Sequence, residues 1–305
     1  MKNKNVKSLL TFALSIIVAS SVVADKPVFV ALKGLGSGNP FWGAVEKGAR
    51  EKAGELGVEV VVLAPAKEGD VQVQISQLED QLVKGISGLV IAPADQNALA
   101  PFVQEAIDEG IPVAFVDSRG INEGVPYIGT NNESAAHVGA EYICKNVPKG
   151  AKVAMLTGVM SQTPGIMRAK GAKEGLQKCG LNIVAEISAS WDKAKGLAAT
   201  EDIITGNPDL AALYAGNDNM ALGAVEALKT ADMLDQVMVV GFDANPDAAV
   251  SVLAGEMSAT VAQDPVRMGS TGVDYVVKMA AGKSVSAETD TGAVLVTKSN
   301  AEGYK

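Results

Sequence analysis

A chain of 305 residues that is 48% hydrophobic but only 4% aromatic builds its interior from Val, Ile, Leu and Ala, so each Trp and Phe is informative. The formal charge of -9 argues against nucleic acid or anionic lipid as a partner, because an acidic surface repels both. With one histidine and two cysteines there is almost no raw material for triad hydrolysis or multi-histidine metal catalysis.

The chain opens with Lys2, Lys4 and Lys7, an apolar run over 9–23, and a small residue, Ala24, before Asp25 and Lys26. That order is a secretory signal with cleavage expected near Ala24. The apolar run of 15 residues is shorter than the roughly 20 a membrane span needs. No Cys follows it, so a lipid anchor is not indicated and a free periplasmic protein is expected. Removal of residues 1–24 leaves 281 residues and a charge of -12, a length that favours two lobes over one core.

From Lys26 onward, short β-branched runs alternate with helical patterns, the rhythm of βαβ units on parallel sheets. Strands are expected at 27–33, 58–63, 88–91 and 113–116, and helices at 41–56, 71–83 and 99–109. Residues 125–129 end this series. A second begins near Asn131, with strands at 152–156, 182–187, 210–214, 238–242 and 258–262 and helices at 134–146, 165–179, 194–204, 220–230 and 246–254. The expected fold class is α/β: two similar doubly wound parallel-sheet lobes.

Both series contain an apolar strand ending in Asp, as Val113-Ala-Phe-Val-Asp117 and Val239-Val-Gly-Phe-Asp243. Ligands of open parallel sheets bind beyond the carboxyl ends of the strands, so these residues imply one cleft with a carboxylate on each wall. The competing reading is that each Asp only caps the next helix or turn.

The first strand runs into Lys33-Gly-Leu-Gly-Ser-Gly-Asn-Pro-Phe-Trp42. Gly34, Gly36 and Gly38 are spaced GxGxG, with Asn39 where a dinucleotide fingerprint needs its last Gly, and no acid ends the second strand at 61–65 to hold a ribose. A sugar suits the segment better. The amide of Asn39 meets hydroxyls, while Phe41 and Trp42 offer apolar faces to axial C–H groups. Phe41 also reads as a core anchor of its helix.

Trp191, the second tryptophan, follows a strand within Ser190-Trp-Asp192, so neither indole lies inside an apolar run. Asn217 and Asp218 follow the 210–214 strand, where either could cap a helix. Arg168 is expected in a first helical turn, where the dipole disfavours a cation unless a ligand or carboxylate meets it. His137 reads as packing or surface. Cys144 and Cys179, both late in expected helices, leave a disulfide and two free thiols equally open.

Taken in order, Asn39-Pro-Phe-Trp42, Ala215-Gly-Asn-Asp-Asn-Met-Ala-Leu-Gly223, Val239-Val-Gly-Phe-Asp243 and Thr260-Val-Ala-Gln-Asp-Pro265 resemble the ribose- and allose-binding branch of the periplasmic sugar-binding proteins. The resemblance covers the mature chain. It implies two lobes joined by three crossings, near Asn131, near Gln263 and around 288–291. The lobes then comprise residues 25–130 with 264–288, and 131–263 with 289–305. The helix at 267–281 belongs to the first lobe and residues 292–297 to the second.

By motif, Asn39 and Asp117 from one lobe and Arg168, Asn217 and Asp243 from the other would hydrogen-bond the sugar, with Gln263 at the hinge. Phe41 or Trp42 and Trp191 would stack on it, and Lys33 matches the allose type. After Asp117 the chain departs from the family: Ser118 stands where a charged or long polar residue is common, and a one-residue shift would let Arg119 reach in.

The function implied is capture of a monosaccharide or polyol for the membrane permease of an ABC transporter, by a monomer without cofactor or metal, whose lobes close on the ligand. No GxxxxGK[ST] motif is present, so ATP is used elsewhere. Three other readings share the fold: a receptor presenting an autoinducer or sugar to a chemoreceptor or sensor kinase; a LacI-type repressor core, disfavoured in an exported chain without a DNA-reading helix; and a glycosidase using Asp117 and Asp243.

Overall fold

The computed structural model describes residues 26–305; the expected secretory signal lies outside them. Two six-stranded sheets share one strand order. The first series contains β1 (Val28–Ala31), α1 (Pro40–Leu56), β2 (Val60–Leu63), α2 (Val71–Lys84), β3 (Gly88–Ile91), α3 (Ala100–Asp108), β4 (Val113–Val116) and β5 (Tyr127–Gly129). The second contains α4 (Asn132–Asn146), β6 (Lys152–Thr157), α5 (Thr163–Lys178), β7 (Asn182–Ser188), α6 (Lys193–Gly206), β8 (Leu210–Ala215), α7 (Asp218–Thr230), β9 (Met238–Asp243), α8 (Pro246–Ala254) and β10 (Ala259–Ala262). The chain closes with α9 (Pro265–Ala280), β11 (Glu288–Asp290), β12 (Val294–Val296) and a short 3₁₀ turn, Ala301–Tyr304.

The strand orders are β2-β1-β3-β4-β5-β11 and β7-β6-β8-β9-β10-β12. All pairings are parallel except that of β12 with β10. β4 and β9 therefore hold equivalent places, which makes the two Asp-ended strands counterparts. The backbone passes between the sheets three times, after β5, after β10 and between β11 and β12. β11 pairs with β5 throughout Glu288–Asp290.

Helices cover both faces of each sheet, so β1, β3, β4 and most of β9 are buried, as their unbroken apolar sequences require. On the first sheet α1 and α9 pack together on one face, over Val30, Val90 and Val116, with α2 and α3 on the other, over Phe29, Ile91 and Phe115. Gly48 permits the α1–α9 approach, since a Cβ there would stand 1.9 Å from the Val266 carbonyl oxygen.

Cys144 and Cys179 form a disulfide that ties the end of α4 to the end of α5, which resolves the alternative left open by their spacing. His137 lies on the surface beside Glu174. Among the described residues no helix is long and apolar enough to cross a membrane.

Candidate functional site

The carboxyl ends of the two sheets face each other, and the loops beyond them form a closed cleft lined by Lys33, Asn39, Phe41, Trp42, Glu68, Asp117, Pro164, Arg168, Trp191, Asn217 and Asp243. Nine of these eleven positions are those singled out by the sequence. The other two are Glu68 and Pro164.

Each wall is built around a buried acid–cation pair. Lys33 follows β1, and its Nζ lies 2.9 Å from Asp117 Oδ2 with both side chains under 5% exposed. The same Nζ donates to Ser118 Oγ at 2.6 Å, and Ser118 Oγ donates to Asp117 Oδ2 at 2.8 Å. In the second lobe Arg168 Nη1 stands 3.3 Å from Asp243 Oδ1, and Gln263 Nε2 donates to the same oxygen at 2.7 Å. Arg168 is further fixed by the Asn132 side-chain oxygen at 2.7 Å and the Gly216 carbonyl at 2.9 Å, with its guanidinium 3.8 Å from the Phe242 ring centroid. These contacts satisfy the cation without the helix dipole. α5 also begins two residues earlier than expected, at Thr163, which puts Arg168 in the second turn.

Several of these residues are held in backbone conformations that only a packed surrounding sustains. Asp117 (φ 57°), Ser190 (φ 51°), Trp191 (φ 65°) and Asp243 (φ 115°) all have positive φ without being glycine. The turn at Asp117 sends Ser118 toward Lys33. Arg119 goes the other way, to Glu288 Oε1 at 2.8 Å and over the Tyr127 ring at 4.5 Å, where it lines a separate hinge-side cavity of about 420 Å³. The expectation that Arg119 could reach the cleft is thus corrected. Ser118 and Gln263 are not among the lining residues, and each donates a hydrogen bond to an Asp of the cleft, Asp117 and Asp243 respectively.

Two side chains both cap a helix and line the cleft. Asn39 Oδ1 accepts from Phe41 N at the start of α1, and Asn217 Oδ1 accepts from Met220 N at the start of α7, yet both side chains line the cleft. Phe41 and Trp42 meet edge to face at 5.0 Å, with Lys33 Nζ 5.1 Å from the indole. Trp191 fits because residue 158 is glycine: a Cβ there would lie 2.0 Å from the indole ring.

Gln162 was not singled out from the sequence. It is buried, its Oε1 accepts from Trp191 Nε1 at 2.8 Å and from Lys33 Nζ at 3.0 Å, and its Nε2 donates to the Ala94 carbonyl at 3.0 Å. It therefore joins the second lobe to the first across the cleft. Asn219 Nδ2 to the Gly38 carbonyl and Arg119 N to Thr163 Oγ1 bridge the lobes elsewhere. Glu68 lies three residues past the segment where no acid was found, and accepts from Asn39 Nδ2 at 3.1 Å. The loop that follows the strand end carries Glu68, a signal present in the sequence; nothing local marks Gln162.

Burial raises the Asp243 carboxyl to about 7 despite Arg168 and Gln263. Asp218, buried behind it and bonded to Thr260 Oγ1 and Asn245 N, is raised well above the carboxylate range, again chiefly by burial. Burial likewise raises Glu68, with Lys33, Trp42 and Asn39 opposing. The paired side chains leave only about 20 Å³ free in the closed cleft, room for about one water.

Residues 30–284 match the family model described as periplasmic binding protein domain. The chain belongs to that family. This periplasmic binding protein is 34% identical over 303 residues to the ribose import binding protein of Escherichia coli strain K12, covering 96% of this chain and 99% of that one. It is 35% identical over 296 residues to the D-ribose/D-allose-binding protein of Pseudomonas aeruginosa, covering 92% of each. Among solved structures it resembles an ABC transporter periplasmic solute binding protein from Actinobacillus succinogenes with bound D-allose. That match has a TM-score of 0.85 and 27% identity, and covers 92% of this chain and 100% of that one. The two-lobed α/β architecture is that of such sugar-binding proteins.

Proposed function

We propose that this chain is the periplasmic sugar-binding component of an ABC importer, capturing a monosaccharide or related polyol between its lobes and delivering it, as a monomer, to a membrane permease. The observation that carries the reading is the pair of buried acid–cation couples, Lys33–Asp117 and Arg168–Asp243, one at the strand ends of each lobe and facing the other across a closed cleft with two indoles. A carboxylate and a cation together accept from and donate to vicinal hydroxyls, and aromatic faces exclude water from those bonds.

The relatives named for ribose and D-allose support this ligand class, and the description of the family as periplasmic agrees with the secretory pattern of residues 1–24. Asn39, Phe41, Trp42, Trp191 and Asn217 complete the proposed contacts, with Ser118 and Gln263 positioning the two aspartates. In the open protein water solvates both walls. A sugar that touches both walls favours closure by its differential affinity for the closed state.

The reading excludes turnover: the ligand leaves as it arrived. Calorimetric titration with pentoses, hexoses and polyols, followed by recovery of the bound compound, tests both parts. One-to-one binding of a compound recovered unchanged is expected. A hydrolysed or isomerised product, or no binding across the panel, contradicts the proposal.

A further inference from the structure

Charge in the cleft does not balance. Lys33 is matched by Asp117 and Arg168 by Asp243, while Glu68 has no lysine or arginine nitrogen within ion-pair distance among the described residues. Its one hydrogen bond comes from the neutral amide of Asn39, and the buried indole N–H of Trp42 faces it without closing a bond. The position is built. Gly69 N donates to the Lys33 carbonyl at 2.9 Å, which pins the loop after β2 to the end of β1, and a Cβ at residue 34 would stand 3.0 Å from the Glu68 Cβ. A glycine there lets the carboxylate enter the cleft.

We propose that Glu68 contacts the ligand and determines its specificity, by accepting a hydrogen bond from a substituent of the sugar or polyol that lies beside Asn39 and Trp42. The inference rests on the sugar-binding reading. A carboxylate with one neutral hydrogen-bond donor and no ion pair in a desolvated cleft is under-satisfied. A ligand that supplies a donor is therefore favoured over its deoxy analogue, whose binding leaves the acid bare. The donor is a hydroxyl or an ammonium group. Either satisfies the oxygen, and only the ammonium also cancels the charge.

The test titrates the wild-type protein, Glu68→Gln and Glu68→Asp with D-ribose, D-allose and myo-inositol on one arm and D-glucosamine and D-galactosamine on the other, with melting of each protein recorded without ligand. Glu68→Gln is expected to weaken the tightest compound on the order of ten- to a hundredfold, the cost of one hydrogen bond to a charged group. Glu68→Asp, which keeps the charge, is expected to fall between. A larger loss for the amines than for the neutral compounds assigns the donor to ammonium, and a loss confined to the neutral compounds assigns it to hydroxyl. Wild-type affinity in folded Glu68→Gln and Glu68→Asp for every compound overturns the inference while leaving sugar binding intact. Failure of the wild type to bind any compound overturns the parent reading.

Discussion

Lys33 Nζ, at the end of the first strand of one lobe, donates to Gln162 Oε1 of the other lobe at 3.0 Å, and the same oxygen accepts from Trp191 Nε1 at 2.8 Å. One amide thus couples the ammonium of one wall to the indole of the other. Closure and the orientation of a ligand-facing ring are set together.

Gln162→Ala removes the acceptor shared by Lys33 and Trp191 and the donor to the Ala94 carbonyl. We expect about tenfold weaker ligand binding, roughly 1.4 kcal/mol, with the loss arising from a less populated closed state. Small-angle scattering checks the origin: without ligand the variant should be more expanded than the wild type. An unchanged scattering profile with unchanged affinity would remove Gln162 from the closure mechanism.

Asp243 supplies a pH signature. Its carboxyl titrates at about 7 in the folded protein against 3.8 ordinarily, because burial disfavours the anion, and Asp218 shifts in the same direction. The folded state therefore holds more protons than the unfolded state between those values, and the contribution of these groups to stability falls as pH rises through that window. Asp243→Asn has no such proton to lose. Melting temperature measured between about pH 4 and pH 8 should decline more steeply with pH in the wild type than in Asp243→Asn, and parallel curves would refute the assignment.

The disulfide closes a segment of 35 residues in sequence separation, worth about 3–4 kcal/mol by loop entropy. Cys144→Ala with Cys179→Ala should lower the melting temperature by about 5–10 °C. Ligand affinity should hold, because the bridge sits at the far end of α4 from Asn132 and the cleft. A melting temperature equal to the wild type's would show that packing of α4 on α5 alone carries the stability.

The architecture was legible because buried parallel strands are written as continuous apolar runs, and the Asp endings of β4 and β9 place the cleft where strand ends converge. The scarcity of aromatics made Trp42 and Trp191 stand out. What was hidden depends on three-dimensional context. Gln162 matters only through the relative placement of the lobes, which no local pattern encodes. The opposite directions of Ser118 and Arg119 follow from the positive φ at Asp117, a conformation an Asp adopts under tertiary constraint and not by sequence rule. The pairing of Cys144 with Cys179 required that α4 and α5 lie side by side. The need of Arg168 for a partner was legible, but which groups meet it was not, because Asn132, Gly216 and Asp243 are 36 to 75 residues away.

The central claim is that one cleft with an aspartate from each lobe holds the sugar. Calorimetric titration of the wild type, Asp117→Ala and Asp243→Ala with the tightest compound found in the sugar screen tests it most directly. Each substitution should cost at least about a hundredfold in affinity, since it removes charged hydrogen bonds and leaves Lys33 or Arg168 unpaired. Both variants should still unfold cooperatively in the absence of ligand. Wild-type affinity in either variant would place the sugar elsewhere.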